Sequence, residues 1–170
     1  MNTHPGGSAH TQHMLEIAAL PRGAGILDLG AGAGEAVAML EALGYRATGI
    51  DLEPRADFIL HGNFLHTDYP DGLFDAVFSQ CAFFISGNAM QALREALRLL
   101  KKDGVLLLSD VFFEDPVQML QEAGFEATYE EDLTPQWREY YLEALWREEA
   151  LPCSLPGGKC RYCFVIGRKC

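Results

Sequence analysis

The stretch "ILDLGAGAGEAV", residues 26–37, limits what this chain can fold into more than any other. An apolar strand runs into glycines at 30, 32 and 34, and a helix-compatible segment follows at once. Glycine supplies positive φ and lets a ligand approach the backbone, while the first turn of a helix offers N–H groups that have no intrahelical partner. A strand, a glycine turn and a helix in this order make a site for an anion or a carboxylate.

The spacing then bears on the ligand, since the glycines alone fit either a dinucleotide or S-adenosylmethionine (SAM). A dinucleotide fingerprint puts a third glycine five places after the first, where helix and strand close around a pyrophosphate. Here that place is Glu35, whose carboxylate suits the helix dipole and opposes a pyrophosphate; Gly34 falls one residue early. Asp28, two residues ahead of Gly30, offers a carboxylate to an ammonium group while the turn amides answer a carboxylate. That pair of charges describes an amino acid. The methionine end of SAM carries both, beside a sulfonium that tolerates acidic surroundings. These features disfavour an NAD-dependent oxidoreductase.

Hydropathy patterning extends the unit along the chain. A helix is expected over 8–20, then strand 25–29, helix 34–43, strand 46–50, a weak apolar run at 58–60, strand 74–79, helix 88–101 and strand 104–109. Strand alternating with helix is the signature of a parallel sheet covered on both faces, and the near-continuous apolar strands agree. A helix at 115–123 stops at Gly124, a strand-like "FEATYEE" follows, and Thr134 as N-cap with Pro135 behind it predicts a helix over 135–150. The loop "LPCSLPGGK" and a strand "RYCFVIGRK" close the chain. Between Asp51 and Phe58 there is room for only about one helical turn, so either the third strand is displaced or its covering helix is lost.

"DLGAGAG" together with Asp51 at the end of "ATGIDLEPR" resembles the class I SAM-dependent methyltransferases. The likeness continues through "HGNFLHTDYPDGLFDAVFSQCAFF" and "LREALRLLKKDGVLLLSD" and covers roughly residues 24–110. It implies an α/β, Rossmann-like, doubly wound and mostly parallel seven-stranded sheet with an antiparallel last strand. It also implies SAM as cofactor, held by Asp28, Gly30, Ala31, Gly32 and Gly34, by Asp51 at the ribose with Leu52 next to it, by Asn63 at the adenine amino group with Phe64 next to it, and by Ser79 and Gln80. The departures are Asn63 in place of the commoner Asp, Asp103-Gly104 where two glycines are usual, and the short crossover after Asp51. Small size and the "YPDGLFDAVFS" passage look most like the small-molecule methyltransferases, including those of quinone biosynthesis.

At 170 residues and 49% hydrophobic, one domain is expected: an N-terminal helix 8–20, a SAM-binding core 24–110 and a substrate-side part 111–170. A net charge of −11 would repel a phosphate backbone, so nucleic acid is an unfavourable partner and a small-molecule acceptor a favourable one. The N-terminus lacks the pattern of a signal peptide and no apolar run approaches the ~20 residues that span a bilayer. With an odd five cysteines, the chain is expected in the cytoplasm, away from membranes.

Methyl transfer is an in-line displacement that needs alignment first, and a base only where the acceptor must lose a proton. Among His10, His13, His61 and His66, the better-placed base candidates are His13 and His66; Asp110, after the fifth strand, joins them. Gln80, Cys81, Phe83, Phe84, Asp110, Phe112 and Phe113 are candidates to line an acceptor pocket, with core packing as the alternative for each phenylalanine. Trp137, Tyr140, Tyr141 and Leu145 share one helix face and are expected to pack in the core. Cys153, Cys160, Cys163 and Cys170 have C-x6-C-x2-C-x6-C spacing; incidental thiols outweigh a metal site there, and no metal is expected. The non-enzyme alternative is a SAM- or metal-binding regulatory module that keeps the fold without catalysis.

Overall fold

Successive residues of a strand face opposite ways, so a strand that is apolar throughout needs cover on both sides. The computed structural model, which describes residues 5–147 and 159–170, supplies that cover. In chain order the elements are α1 (Gly7–Ala18), β1 (Gly25–Leu29), α2 (Glu35–Ala42), β2 (Arg46–Asp51), β3 (Leu60–His61) and β4 (Phe74–Gln80). After them come α3 (Ala89–Leu99), β5 (Leu100–Phe112), α4 (Pro116–Ala123), β6 (Phe125–Asp132), α5 (Thr134–Trp146) and β7 (Arg161–Lys169). All seven strands join one sheet in the order β3-β2-β1-β4-β5-β7-β6. The first five pair in parallel, and β7 runs antiparallel to both β5 and β6. This is the Rossmann-like, doubly wound sheet expected, with the last strand of the chain inserted one place from the edge.

Neighbouring residues of the central strands feed two apolar layers. Leu27, Val77 and Leu106 pack with Leu93 and Ala96 of α3 and Leu120 of α4. Ile26, Phe78 and Leu107 pack on the other face with Met14 and Leu15 of α1, Leu40 of α2 and Phe164 of β7. Strand order reverses between β1 and β4, and in open α/β sheets the crevice beyond the carboxyl ends at such a point takes the ligand.

Three local expectations change. Residues 52–59 form turns and no helix, and β3 shrinks to two residues at 60–61, displaced from the apolar run at 58–60. Strand β5 begins at Leu100, four residues before its apolar run. Leu100 pairs with Phe74, and the register then shifts to Ala76 opposite Val105, with Asp103 in the left-handed region at φ 64°. Thr134 does not cap α5. Its hydroxyl accepts the N–H of Tyr162 at 3.0 Å, and Asp132 instead accepts the Thr134 N–H at 2.9 Å. The last residues of the expected 135–150 helix, and the loop up to residue 158, lie outside the described residues.

Candidate functional site

The glycine turn leaves β1 at the switch point and is anchored on the end of β2. Gly30 and Ala31 donate to the Ile50 carbonyl at 2.9 and 3.0 Å, and Gly32 donates to Asp51 Oδ2 at 2.8 Å. The second oxygen of Asp51 accepts the Glu53 N–H at 2.8 Å, so one carboxylate ties the turn to the residues after β2. Gly30 sits at φ 84°, and a Cβ there would strike the Ala82 side chain in the loop after β4. Glycine at 30 therefore lets donor-side turn and β4 loop close on each other.

Asp28 lies within β1 at 3% exposure, and no described group donates a hydrogen bond to its carboxyl. Burial, and secondarily the negative charge of Asp51, push it up to about 8. A buried carboxyl without a donor is a costly feature unless a ligand completes it. The ammonium of an amino acid would do so, while the amides opening α2 would face the ligand's carboxylate. The residues present thus fit the methionine end of SAM.

The other cofactor candidates divide. Leu52 is exposed beside Asp51. Asn63 is exposed and its side-chain oxygen accepts the Leu65 N–H at 2.9 Å, while Phe64 is buried and stacks on Phe83 at 5.5 Å. Ser79 is fully buried and donates to the Leu29 carbonyl at 2.7 Å, holding the end of β1 where the glycine turn begins. Gln80 accepts from the Thr11 hydroxyl at 3.0 Å and directs its amide at Met14 Sδ, 3.3 Å away. The side chains of Ser79 and Gln80 thereby brace β1 and α1.

The three base candidates do not converge. His13 pairs with Glu131 on β6 at 2.8 Å, and His66 is exposed in the turn that follows Asn63. Asp110 is buried and accepts the N–H groups of Phe83 at 2.8 Å, Phe84 at 3.2 Å and Val111 at 2.7 Å. Burial raises it to about 6 against the pull of those amides. Its carboxylate shapes the loop after β4.

Sequence reading missed a polar chain at the same edge of the sheet. His10 Nε2 lies 2.8 Å from Ser109 Oγ, Ser109 donates to the Tyr162 hydroxyl at 3.0 Å, and that hydroxyl lies 3.2 Å from Cys81 Sγ. Burial carries Tyr162 well above the usual phenol range. These partners are 53 to 99 residues apart in sequence, so no local pattern announces them.

Phe83 and Phe112 are core residues, whereas Phe113 is exposed and meets Phe84 at 6.5 Å. A cavity of about 300 Å³ beyond β5 is lined by Phe112, Phe113, Glu114, Asp115 and residues 159–161. Trp137 and Tyr141 are buried against Tyr162, with Tyr140 beside them, as expected of a core face; the side chain of Leu145 lies outside the described residues. Cys163 is buried in β7, where burial pushes its thiol up to about 12; Cys160 is half-buried and Cys170 exposed. Cys153 lies outside the described residues. Among the described residues no group of three or more His, Cys, Asp or Glu is placed to hold a metal, and no helix is long and apolar enough to cross a membrane.

The sheet order and the carboxylate-framed glycine turn give the chain a Rossmann-like ligand site. Comparison with known proteins adds that the methyltransferase domain family matches residues 27–108. A glycine/sarcosine/dimethylglycine N-methyltransferase of Actinopolyspora halophila is 34% identical over an alignment 107 residues long, with 53% of this chain and 19% of that protein covered. The chain thus spans about a fifth of that relative's length. A phosphoethanolamine N-methyltransferase of Haemonchus contortus, solved with S-adenosylhomocysteine, superposes with a TM-score of 0.78 at 16% identity, over 98% of this chain and 53% of that one. Geranyl diphosphate C-methyltransferase from Streptomyces coelicolor, also with S-adenosylhomocysteine, gives 0.74 at 16% identity, over 96% and 79%. Residues 27–108 thus match a methyltransferase domain, and the solved methyltransferases share the chain's fold.

Proposed function

We propose that this protein is a SAM-dependent methyltransferase acting on a small molecule. The observation that carries the reading is Asp28, a carboxyl at 3% exposure with no donor among the described residues, beside a glycine turn that is pinned by Asp51. SAM supplies a methyl group activated by its sulfonium. Asp28 takes the donor's ammonium, the α2 amides its carboxylate, and Asp51 the ribose hydroxyls, with Leu52, Asn63 and Phe64 around the adenine. Residues 24–110 thereby form the donor-binding core of a single domain.

The acceptor side falls to residues 111–170 and to the loop after β4. The apolar pair Phe84 and Phe113 and the cavity beyond β5 suit a small acceptor, as do the small substrates of the relatives named above. The chain's net charge of −11 weighs against a nucleic acid. Alignment and exclusion of water are what these residues contribute to a displacement.

Titration calorimetry with S-adenosylhomocysteine and with NAD tests the donor reading. Binding of the first and not the second is expected, and the reverse would overturn it. Labelled SAM incubated with pools of small molecules then tests transfer. A second reading, a SAM-binding module without catalysis, is favoured by the engagement of His13 and Asp110 with other partners. Binding of S-adenosylhomocysteine with no labelled product from any pool would support it.

A further inference from the structure

The short crossover after Asp51 carries Arg55 over the glycine turn. We propose that Arg55 holds the carboxylate of the donor's amino-acid end, which makes the site select nucleosides that carry an amino acid. The proposal rests on the methyl-donor reading above and adds to it a residue outside the glycine turn.

Parallel strands are ordinarily joined by a crossover of a dozen residues or more, usually helical, that lies on the sheet face. Residues 52–59 are too few for that, and they fold over the glycine turn. The Arg55 N–H donates to the Gly32 carbonyl at 3.0 Å. Its guanidinium Nη2 lies 2.5 Å from the place that a Cβ on Gly32 would occupy, so any side chain at 32 would displace it. Three residues on, the Phe58 ring lies equally close to the Cβ position of Gly34, and buried Ile59 packs beneath the turn against Gly49. A backbone hydrogen bond and the apolar residues that follow therefore tie Arg55 to the turn.

Charge gives the position its meaning. Asp28, Asp51 and Glu35 put three carboxyl groups around the turn. A zwitterionic ligand brings an ammonium that Asp28 answers and a carboxylate that all three oppose. The amides opening α2 offset this with only about half a positive charge. Arg55 adds a full charge in contact with the turn. It is exposed, and no acidic side chain among the described residues forms an ion pair with it, although Glu53 and Asp57 are close in sequence. A guanidinium matches a carboxylate with two parallel N–H groups, which an ammonium does not.

The test compares two nucleosides by calorimetry on the full chain: S-adenosylhomocysteine, which has the amino-acid end, and 5′-methylthioadenosine, which lacks it. Arg55→Gln is expected to weaken the first by about tenfold or more, the size of a charge-assisted hydrogen bond, and to leave the second unchanged. Arg55→Lys should recover part of the loss. Retained methylthioadenosine binding shows that the variant is folded. An unchanged ratio of the two affinities in Arg55→Gln, whether both hold or both fall, would overturn the assignment of Arg55. Failure of the unaltered protein to bind either nucleoside would instead overturn the methyl-donor reading.

Discussion

At the scale of single residues, Asp28 links binding to stability. Its folded-state pKa is about 8, against an ordinary value of 3.8, so the fold prefers the protonated form. Stability that this group supports is present below about pH 4 and is lost as pH rises through about 8. Asp28→Asn keeps the shape and removes the charge. The variant without ligand is therefore expected to melt higher than the unaltered protein at pH 9, by a margin on the order of a few kcal/mol, and about equally at pH 4. Scanning fluorimetry at the two pH values checks this; a lower melting temperature at pH 9 would contradict it. The same variant should lose affinity for S-adenosylhomocysteine, since it no longer offers a full charge to the ammonium. Binding of the cationic cofactor at pH 7 should also release a proton from Asp28. Calorimetry in buffers of different ionisation enthalpy would show this as a buffer-dependent heat. The sequence made Asp28 legible because both neighbours that matter, the glycines and the strand, are local. Ser79 was legible only as a residue at the right edge of the sheet, for its partner Leu29 is fifty residues away in the chain.

At the scale of elements, two carboxylates act as fasteners. Asp51→Ala removes the acceptor that Gly32 donates to as well as the proposed ribose contacts, and it is expected to weaken S-adenosylhomocysteine by about 1–3 kcal/mol. An unchanged calorimetric affinity would show the ribose to lie elsewhere. On α3, Glu95 accepts from the Thr67 N–H and hydroxyl, while Arg98 bridges Glu95, Asp71 and the Tyr69 carbonyl, so the helix clasps the segment before β4. Arg98→Ala leaves Glu95 nearly buried and without its cation, and should cost roughly 2–4 kcal/mol in urea unfolding, with a loss under 0.5 kcal/mol arguing against the clasp. Apolar periodicity placed most elements closely, because β1, β4 and β7 are defined by burial on both faces. It failed where pairing and not burial decides. Lys101 and Lys102 belong to β5 because Leu100 pairs with Phe74 across a register shift, and Thr134 serves β7 because Tyr162 arrives from 28 residues away. The crossover at 52–59 was legible as too short, yet its path over the glycines follows from contacts at Gly32 and Gly34 that no pattern encodes.

At the scale of the whole molecule, the sheet has a parallel half and an antiparallel half that differ in how they are wired. The parallel half, β1 to β5, is built from strands that add in parallel, and the methyltransferase domain match stops at residue 108, within β5. The antiparallel half depends on β7, which fills the slot between β5 and β6 and brings Tyr162, Phe164 and Val165 into three different parts of the core. Chains ending before residue 161 are expected to lose cooperative unfolding by circular dichroism, since both β5 and β6 would be left with bare edges. A cooperative transition in such a chain would mean that the parallel half stands alone. The order of strands also sets a timetable. A ribosome releases β5 and β6 before the strand that must lie between them, so a growing chain carries two unmatched hydrogen-bonding edges until Lys169 has emerged. The antiparallel half is thus the last to assemble, and the interval before β7 arrives is when the edges of β5 and β6 are open to pairing with other chains.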